Sequence, residues 1–221
     1  MSNNPWLGFK HSELMVHTDD LDAVQHHNAT SKRNYEFLLH LAPEPWIGNL
    51  NGNLLVLYAN PGATEDNVNR VLQPDHELVM QKSIRNLNQE NIEYPHFHFD
   101  PELNQTEGSK WFKAKYRWLL DETSEQILAK NLVTCELAPY HSMKWKIPKR
   151  KLPTQEFTFD IIRNAILRDA VILLARTPKL WIENIPELLR YPRVFRPNSI
   201  NASVSPKNYP GHFNEIIEAL K

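Results

Sequence analysis

The chain alternates short apolar runs with stretches whose apolar residues recur at helical spacing. Continuous apolar runs at residues 54–59, 131–137 and 170–176 predict buried strands, because each is too short for a typical helix and is soon followed by proline. Residues 193–197 predict a short fourth strand. Strands that alternate with helices predict an α/β fold, in which helices cover a mostly parallel four-stranded sheet in a three-layer sandwich.

In the segments between and around these strands, apolar residues recur at helical spacing, which predicts helices. The predicted helices cover residues 31–41, 74–90, 109–120, 157–169, 178–189 and 212–220. We expect residues 1–45 to form a helical lead-in packed on the core, with its polar first 30 residues loosely packed. Residues 46–221 are expected to form the α/β domain itself.

Composition places the chain among ordinary globular proteins. It has 221 residues, of which 41% are hydrophobic and 23% charged, and its net charge is -1. Overall charge therefore favours neither nucleic acid nor membrane, and an anion-binding surface must be a local patch. Cys135 is the one cysteine, which excludes an internal disulfide and fits a reducing compartment. The first residues lack a signal-peptide core, so we expect a cytoplasmic protein, associated with the nucleoid if it binds DNA.

Polar residues follow the predicted strands at positions where α/β proteins form their sites. Asn60 comes directly after the first strand, Glu136 closes the second, and the 198–209 loop follows the fourth. In parallel sheets, ligands bind outside the carboxyl ends of the strands. We therefore expect these three positions to line one crevice.

Two short motifs carry a resemblance to a known family. The Asn-Pro-Gly segment Asn60–Gly62, directly after an apolar strand, resembles the first motif of the uracil-DNA glycosylase superfamily, in its mismatch-specific and single-strand-selective branches. Segment Ser205–Asn208, between a short strand and the last helix, resembles the second motif, a loop that enters the DNA. The resemblance covers roughly residues 46–220 and implies that family's fold, DNA as partner, no cofactor, and hydrolysis of the bond between an extruded base and its sugar.

The resemblance also implies roles for individual residues. Asn60 takes the position that holds the catalytic water, since an amide oxygen can accept a hydrogen bond from water and orient it; the alternative is an ordinary turn asparagine. His141, five residues after Glu136, is a second catalytic candidate that does not come from the resemblance: it could donate to the leaving base or a phosphate, although a lone histidine is more often structural. The residues expected to line the base pocket are Tyr58, Gly62, Glu136 and Ser203.

The sequence departs from the family pattern at several of these positions. Tyr58 stands where the first motif has its leading glycine, and Ser203 and Val204 stand where the second has histidine and proline. No phenylalanine follows Gly62 closely, where several branches place the ring that stacks on the base. Glu136 as an ionised carboxylate would only accept hydrogen bonds, which predicts an amino-bearing or modified base; the alternative is a carboxylate paired with a lysine or arginine.

A basic segment is the local patch that DNA binding requires. Residues 144–151 hold five cations in eight positions around Trp145, which suits phosphate contact and stacking; a solvated loop is the alternative. The residues predicted to contact DNA are Lys149, Arg150, Lys151, Ser205, Pro206 and Lys207.

Other chemistry is weakly indicated. The alternation of "HFHF" places His96 and His98 on the same side of a predicted strand, but no third ligand lies nearby in sequence, so we predict no metal site. Cys135 lies in an apolar strand and is expected to be inert. Two rival functions remain open: a non-catalytic nucleic-acid or nucleotide-binding module, and a small-molecule hydrolase with Glu136 as general base. A DNA enzyme or binder should present the basic segment beside the crevice.

Overall fold

The protein is built on one five-stranded sheet. A computed structural model describes residues 3–70, 73–199 and 203–221. The strands are β1 (Trp46–Ile47), β2 (Leu54–Tyr58), β3 (Leu132–Glu136), β4 (Val171–Leu174) and β5 (Val194–Phe195). The predicted α/β class with a mostly parallel sheet is confirmed, but the predicted count of four strands is wrong. The missed strand, β1, has only two residues, too few to produce a periodic pattern.

Nine α-helices occur among the described residues. They are α1 (Leu21–Ala29), α2 (Glu65–Val68), α3 (His76–Leu87), α4 (Glu107–Lys115), α5 (Arg117–Glu122), α6 (Glu125–Asn131), α7 (Gln155–Leu167), α8 (Pro178–Asn184) and α9 (Phe213–Glu218). Short 3-10 helices cover Thr18–Asp20, Arg33–Tyr35, Phe97–Phe99, Pro101–Leu103 and Pro186–Leu189.

The order of the strands in the sheet is β1-β3-β2-β4-β5. The central strand β2 pairs in parallel with β3 on one side and with β4 on the other, and β5 extends the parallel run beyond β4. Of the five strands in the described residues, β1 alone is antiparallel, with Trp46 opposite Cys135. The carboxyl ends of the four parallel strands therefore meet at one edge of the sheet, which is where α/β proteins place their sites.

Alternate residues of each strand enter two separate apolar clusters. In β2, Leu55 and Leu57 belong to one cluster, which also receives side chains from α7 and α8. Leu54 and Val56 belong to the other, which receives side chains from α4, α6 and α9. Because successive side chains of a strand point to opposite faces, both faces of the sheet are buried, which explains why the strands are continuously apolar.

The first 45 residues are attached to this core more firmly than their polarity predicts. Trp6, Val24 and Phe37 are at most 2% exposed and belong to the cluster on the α7–α8 face. Asp20, also buried, accepts hydrogen bonds from the Tyr140 hydroxyl at 2.8 Å and from Thr154 Oγ1 at 2.6 Å and N at 3.0 Å. The loose packing expected of the first 30 residues therefore does not hold at Trp6, Asp20 and Val24, whereas residues 10–14 are exposed.

Several predicted helices differ in the structure. Residues 31–41 contain only the 3-10 turn Arg33–Tyr35, because the Asn28 side chain hydrogen-bonds both the N and O of Phe37 and holds an irregular chain there. The predicted helix at 109–120 is divided at Tyr116 into α4 and α5, and the one at 178–189 ends at Asn184, where Pro186 begins a 3-10 turn.

His96 and His98 do not lie on a strand. Phe97–Phe99 forms a 3-10 turn, and both imidazoles are buried against Phe112. No helix among the described residues has the length and apolar character needed to cross a bilayer.

Candidate functional site

The site begins with two residues at the ends of neighbouring strands. Tyr58 and Glu136 are paired in register as the last residues of β2 and β3. Paired residues of adjacent strands point to the same face of a sheet. Their side chains therefore lie together on the face covered by α4, α5 and α9.

Asn60 is fixed by its amide nitrogen. Nδ2 donates to the Tyr140 carbonyl at 3.1 Å, to the Pro61 carbonyl at 3.0 Å and to Ser142 Oγ at 2.8 Å. Ser142 Oγ donates its own hydrogen to the Lys144 carbonyl at 3.0 Å, so it acts as an acceptor towards Asn60. Because carbonyl oxygens cannot donate, the side-chain atom of Asn60 that faces these three acceptors must be the amide nitrogen.

The amide oxygen of Asn60 is consequently left available. Within the described part of the chain, Oδ1 has no hydrogen-bond partner, and the side chain is partly exposed. An amide oxygen held in a fixed direction can accept a hydrogen bond from water and orient it. This arrangement is more specific than a turn asparagine, whose side chain binds only neighbouring backbone.

His141 lies beside Asn60 but has both ring nitrogens occupied. Nδ1 is 2.8 Å from the Gly62 carbonyl and Nε2 is 3.1 Å from the Ala42 carbonyl. The Glu44 carboxylate is 3.7 Å from Nε2. A histidine that ties three backbone segments together in this way positions the Asn60–Gly62 loop, and it has no free nitrogen to offer a leaving base.

Glu136 is a partly exposed acid whose buried Oε2 atom has no partner among the described residues. Its Oε2 atom makes no hydrogen bond, and no ion pair involving it occurs in residues 3–70, 73–199 or 203–221. Burial raises its pKa well above the ordinary value; the nearby Glu44 raises it further, and Arg176 opposes both effects. Burial and Glu44 thus favour the neutral carboxylic acid, whereas the sequence suggested an ionised carboxylate.

Glu44, which is buried, is a second acid that sequence reasoning missed. The antiparallel start of β1 places it beside the end of β3, where Glu44 N donates to the Pro139 carbonyl at 2.8 Å and Glu136 N to the Pro45 carbonyl at 2.9 Å. Burial raises the pKa of Glu44, and His141 opposes that shift. The available signal was an acidic residue between two prolines directly before the apolar pair Trp46–Ile47.

Two tyrosines form the floor beside Glu136. The hydroxyls of Tyr58 and Tyr116 are 2.8 Å apart, and burial raises the pKa of both. The Trp111 ring packs edge-on against Tyr58 with 5.9 Å between centroids, and it is 49% exposed. A half-exposed indole therefore stands at the margin of the site, in reach of solvent.

Two residues that follow β4, Arg176 and Thr177, complete the strand ends. Arg176 follows β4 and interacts electrostatically with Glu136, Tyr58 and Lys115. Thr177 has φ of 45°, rare for a β-branched residue, and its buried hydroxyl has no hydrogen-bond partner in the part of the chain that the structure describes. Backbone strain of this kind concentrates at functional sites. None of Arg176, Thr177 and Lys115 was predicted from the sequence as a site residue.

No protein-family model, curated protein or solved structure matches this chain. Its function is therefore inferred from the chemistry of these residues.

The loop that carries the second motif, residues 203–209 (the second-motif loop), contacts the site through Lys115. Val204 N donates to the Lys115 carbonyl at 3.1 Å. Asn208 closes the loop by donating to the Ser203 carbonyl at 3.0 Å and to Ser205 Oγ at 3.1 Å. Ser205 is buried, whereas Pro206 and Lys207 are exposed at the tip. The predicted 198–209 loop includes residues 200–202, which lie outside the described residues.

The basic segment is tied to the lead-in and to α7. Arg150 forms an ion pair with Asp22, Lys151 pairs with Glu156 at 2.9 Å, and Lys146 Nζ donates to the Thr30 carbonyl at 3.1 Å. Lys149 is exposed. Exposed ion pairs contribute only about 0–1 kcal/mol, so these cations can still exchange their partners for phosphates.

Metal and thiol chemistry find no further support. Among the described residues there is no group of three or more potential ligands arranged to hold a metal ion. Burial lowers the pKa of His98 to about 3 and holds that of His96 well below its ordinary value, so both are neutral core residues. Burial raises the pKa of Cys135, which agrees with the expected inert thiol.

Two open cavities lie apart from the strand ends. One, of about 320 Å³, is lined by residues that include His11, His40 and His76. The other, of about 450 Å³, is lined by residues that include Lys82 and Tyr94. Neither is lined by Asn60, Glu136 or Lys115, so these cavities and the strand-end chemistry are separate features.

Proposed function

We propose that the protein is a DNA glycosylase-like hydrolase that releases an extruded base by water attack on the N-glycosidic bond. The observation that carries the proposal is the amide of Asn60, whose nitrogen is locked and whose oxygen is left free at a strand end. We also propose the three-layer arrangement of the uracil-DNA glycosylase type, supported by the buried clusters on both faces of the sheet.

In this reaction Asn60 orients the water and does not act as a base. The water oxygen bonds to C1′ of the sugar while the bond from C1′ to the base breaks, and its electron pair leaves with the base. The attacking water releases its proton to solvent, and the departing base takes one up. A donor at the base stabilises the developing charge, a role that suits the neutral carboxyl of Glu136 better than an ionised one.

A neutral Glu136 also changes the expected base. A carboxylic acid has one donor and one acceptor, so it matches a base edge on which a donor and an acceptor are adjacent. Such edges occur on amide-like and amidine-like bases alike. The same neutrality argues against a small-molecule hydrolase with Glu136 as general base, because a protonated acid cannot accept a proton.

Glu136→Gln is therefore expected to keep the base preference of the wild type at neutral pH, because an amide also offers one donating and one accepting side. As pH rises through the raised pKa of Glu136, the wild type should lose activity while the glutamine variant does not. The measurement is to incubate each variant with oligonucleotides that carry different modified bases. Alkali then cleaves the strand wherever a base has been released. A changed preference in Glu136→Gln at pH 7 would show that the carboxylate is ionised in the wild type.

Lys149→Glu is expected to weaken DNA binding and to lower the slope of log affinity against log salt by about one, the effect of one lost phosphate contact. Fluorescence anisotropy at several salt concentrations measures both quantities. Lys130→Glu is the matched control, since Lys130 is exposed and precedes β3 at the opposite end of the strands. Equal losses in the two variants would remove the basic segment from the interface.

A second candidate function is a non-catalytic nucleic-acid or nucleotide-binding module. It is favoured by His141, whose ring nitrogens are both occupied and leave no histidine free for proton transfer beside Asn60. The oligonucleotide panel separates the two functions. Base release from any member supports the hydrolase, whereas binding without release supports the module.

A further inference from the structure

Lys115 is the cation most closely integrated into the candidate site. Its ammonium lies 5.9 Å from the ring centroid of Tyr58 and 5.7 Å from that of Trp111. Its carbonyl accepts the hydrogen bond from Val204 that anchors the second-motif loop. Lys115 thus connects the end of β2 with that loop.

The ammonium of Lys115 has no acidic partner among the described residues, unlike its neighbours on α4. Lys113 is 2.5 Å from Glu125, and Lys110 is 3.9 Å from Glu107. Burial, reinforced by the charge of Arg176, lowers the pKa of Lys115 to about 8. The two rings favour the charged form, but only weakly at distances close to the 6 Å limit of such contacts.

The free amine is consequently far more populated at neutral pH than in an ordinary lysine. A desolvated lysine beside another cation is the usual arrangement for an amine that attacks carbonyl carbon. The proposed function supplies such a carbonyl, because the sugar left after base release opens to an aldehyde at C1′.

We propose that Lys115 is a nucleophile that forms an imine with the aldehyde of an abasic site. This inference rests on the proposed function for its substrate. The amine nitrogen bonds to C1′, and the resulting carbinolamine loses water when the C=N bond forms, with the hydroxyl leaving C1′ and the proton leaving nitrogen. No oxidant or reductant takes part, and hydrolysis reverses the step. The protein would thereby hold its own product covalently.

The test is reductive trapping of the full chain on an oligonucleotide with a pre-made abasic site, which removes any need for base excision. With cyanoborohydride, we expect a covalent adduct on a denaturing gel and its location at Lys115 by peptide mass. The rate of trapping should rise with pH towards about 8 as the amine loses its proton. Lys115→Arg keeps the charge but cannot form an imine, and the adduct should fall to background.

Lys113→Arg is the matched control on the same helix and should trap like the wild type. An adduct that persists in Lys115→Arg, or that maps to another lysine, overturns the proposal. Binding to an oligonucleotide with a tetrahydrofuran abasic analogue separates the role of Lys115 from the proposed DNA function. Binding without trapping refutes only the nucleophilic role of Lys115, and absence of binding refutes the DNA function. If DNA does not bind, the reactivity of Lys115 is tested with glyceraldehyde and cyanoborohydride. A nucleophilic Lys115 should then be modified before the other lysines, and equal modification of all lysines would refute it.

Discussion

Asn60→Ala is expected to lower base excision by about 100- to 1,000-fold, the usual effect of removing one well-placed electrostatic contact from a transition state. DNA affinity should change little. The oxygen of Asn60 is proposed to orient water during the reaction, and this contact contributes nothing to holding the duplex in the ground state. The two effects are read from single-turnover excision and from fluorescence anisotropy.

Ser142→Ala provides the matched control for this variant. It removes one of the three acceptors around Nδ2 of Asn60 and leaves the two backbone carbonyls and Oδ1 in place. We therefore expect a much smaller loss of excision. If Asn60→Ala releases base as fast as Ser142→Ala, the water-orienting role is wrong and the residue is a structural turn asparagine.

Asp20→Ala is expected to lower the free energy of unfolding by about 3–5 kcal/mol, because it leaves three buried donors without an acceptor and each costs about 1 kcal/mol or more. Asp20 is fully buried and accepts from the Tyr140 hydroxyl and from the N and Oγ1 of Thr154. It joins the lead-in to the loop after β3 and to the start of α7. Urea denaturation measures the loss.

Two variants control this measurement. Asp20→Asn keeps an acceptor oxygen and should lose less stability than Asp20→Ala. Asp22→Ala removes an exposed carboxylate that pairs with Arg150 and should change stability by under about 1 kcal/mol. Equal stability of Asp20→Ala and Asp22→Ala would contradict a structural role for the buried carboxylate.

The strands were predictable because each parallel strand is buried on both faces. Such burial requires an unbroken apolar run, and the runs at 54–59, 131–137 and 170–176 contain β2, β3 and β4. Their shared end also followed from the rules for parallel sheets. The prediction of a helix at 31–41 was wrong because hydrogen bonds from the Asn28 side chain compete with local helix propensity. The spacing of apolar residues does not reveal such hydrogen bonds.

The site was predictable only where its residues follow strands. Asn60 and Glu136 were placed by that rule, whereas Glu44 reaches Glu136 through the antiparallel pairing of a two-residue strand. Lys115 looked like any cation on a solvated helix face, because Tyr58 and Arg176, which act on its ammonium, are distant in sequence. The protonation of Glu136 likewise depends on three-dimensional neighbours.

The central position of β2 has a consequence for synthesis of the chain. Leu54 pairs with Leu132 and with Val171, which are translated 78 (132 − 54) and 117 (171 − 54) residues later. At about 5–20 residues per second, both edges of an uncharged apolar strand stay unpaired for several seconds on the ribosome. Unpaired apolar strands are the segments that aggregate. We therefore expect the nascent chain to depend on chaperones until β4 has emerged, and soluble yield to improve when translation is accelerated between β2 and β4.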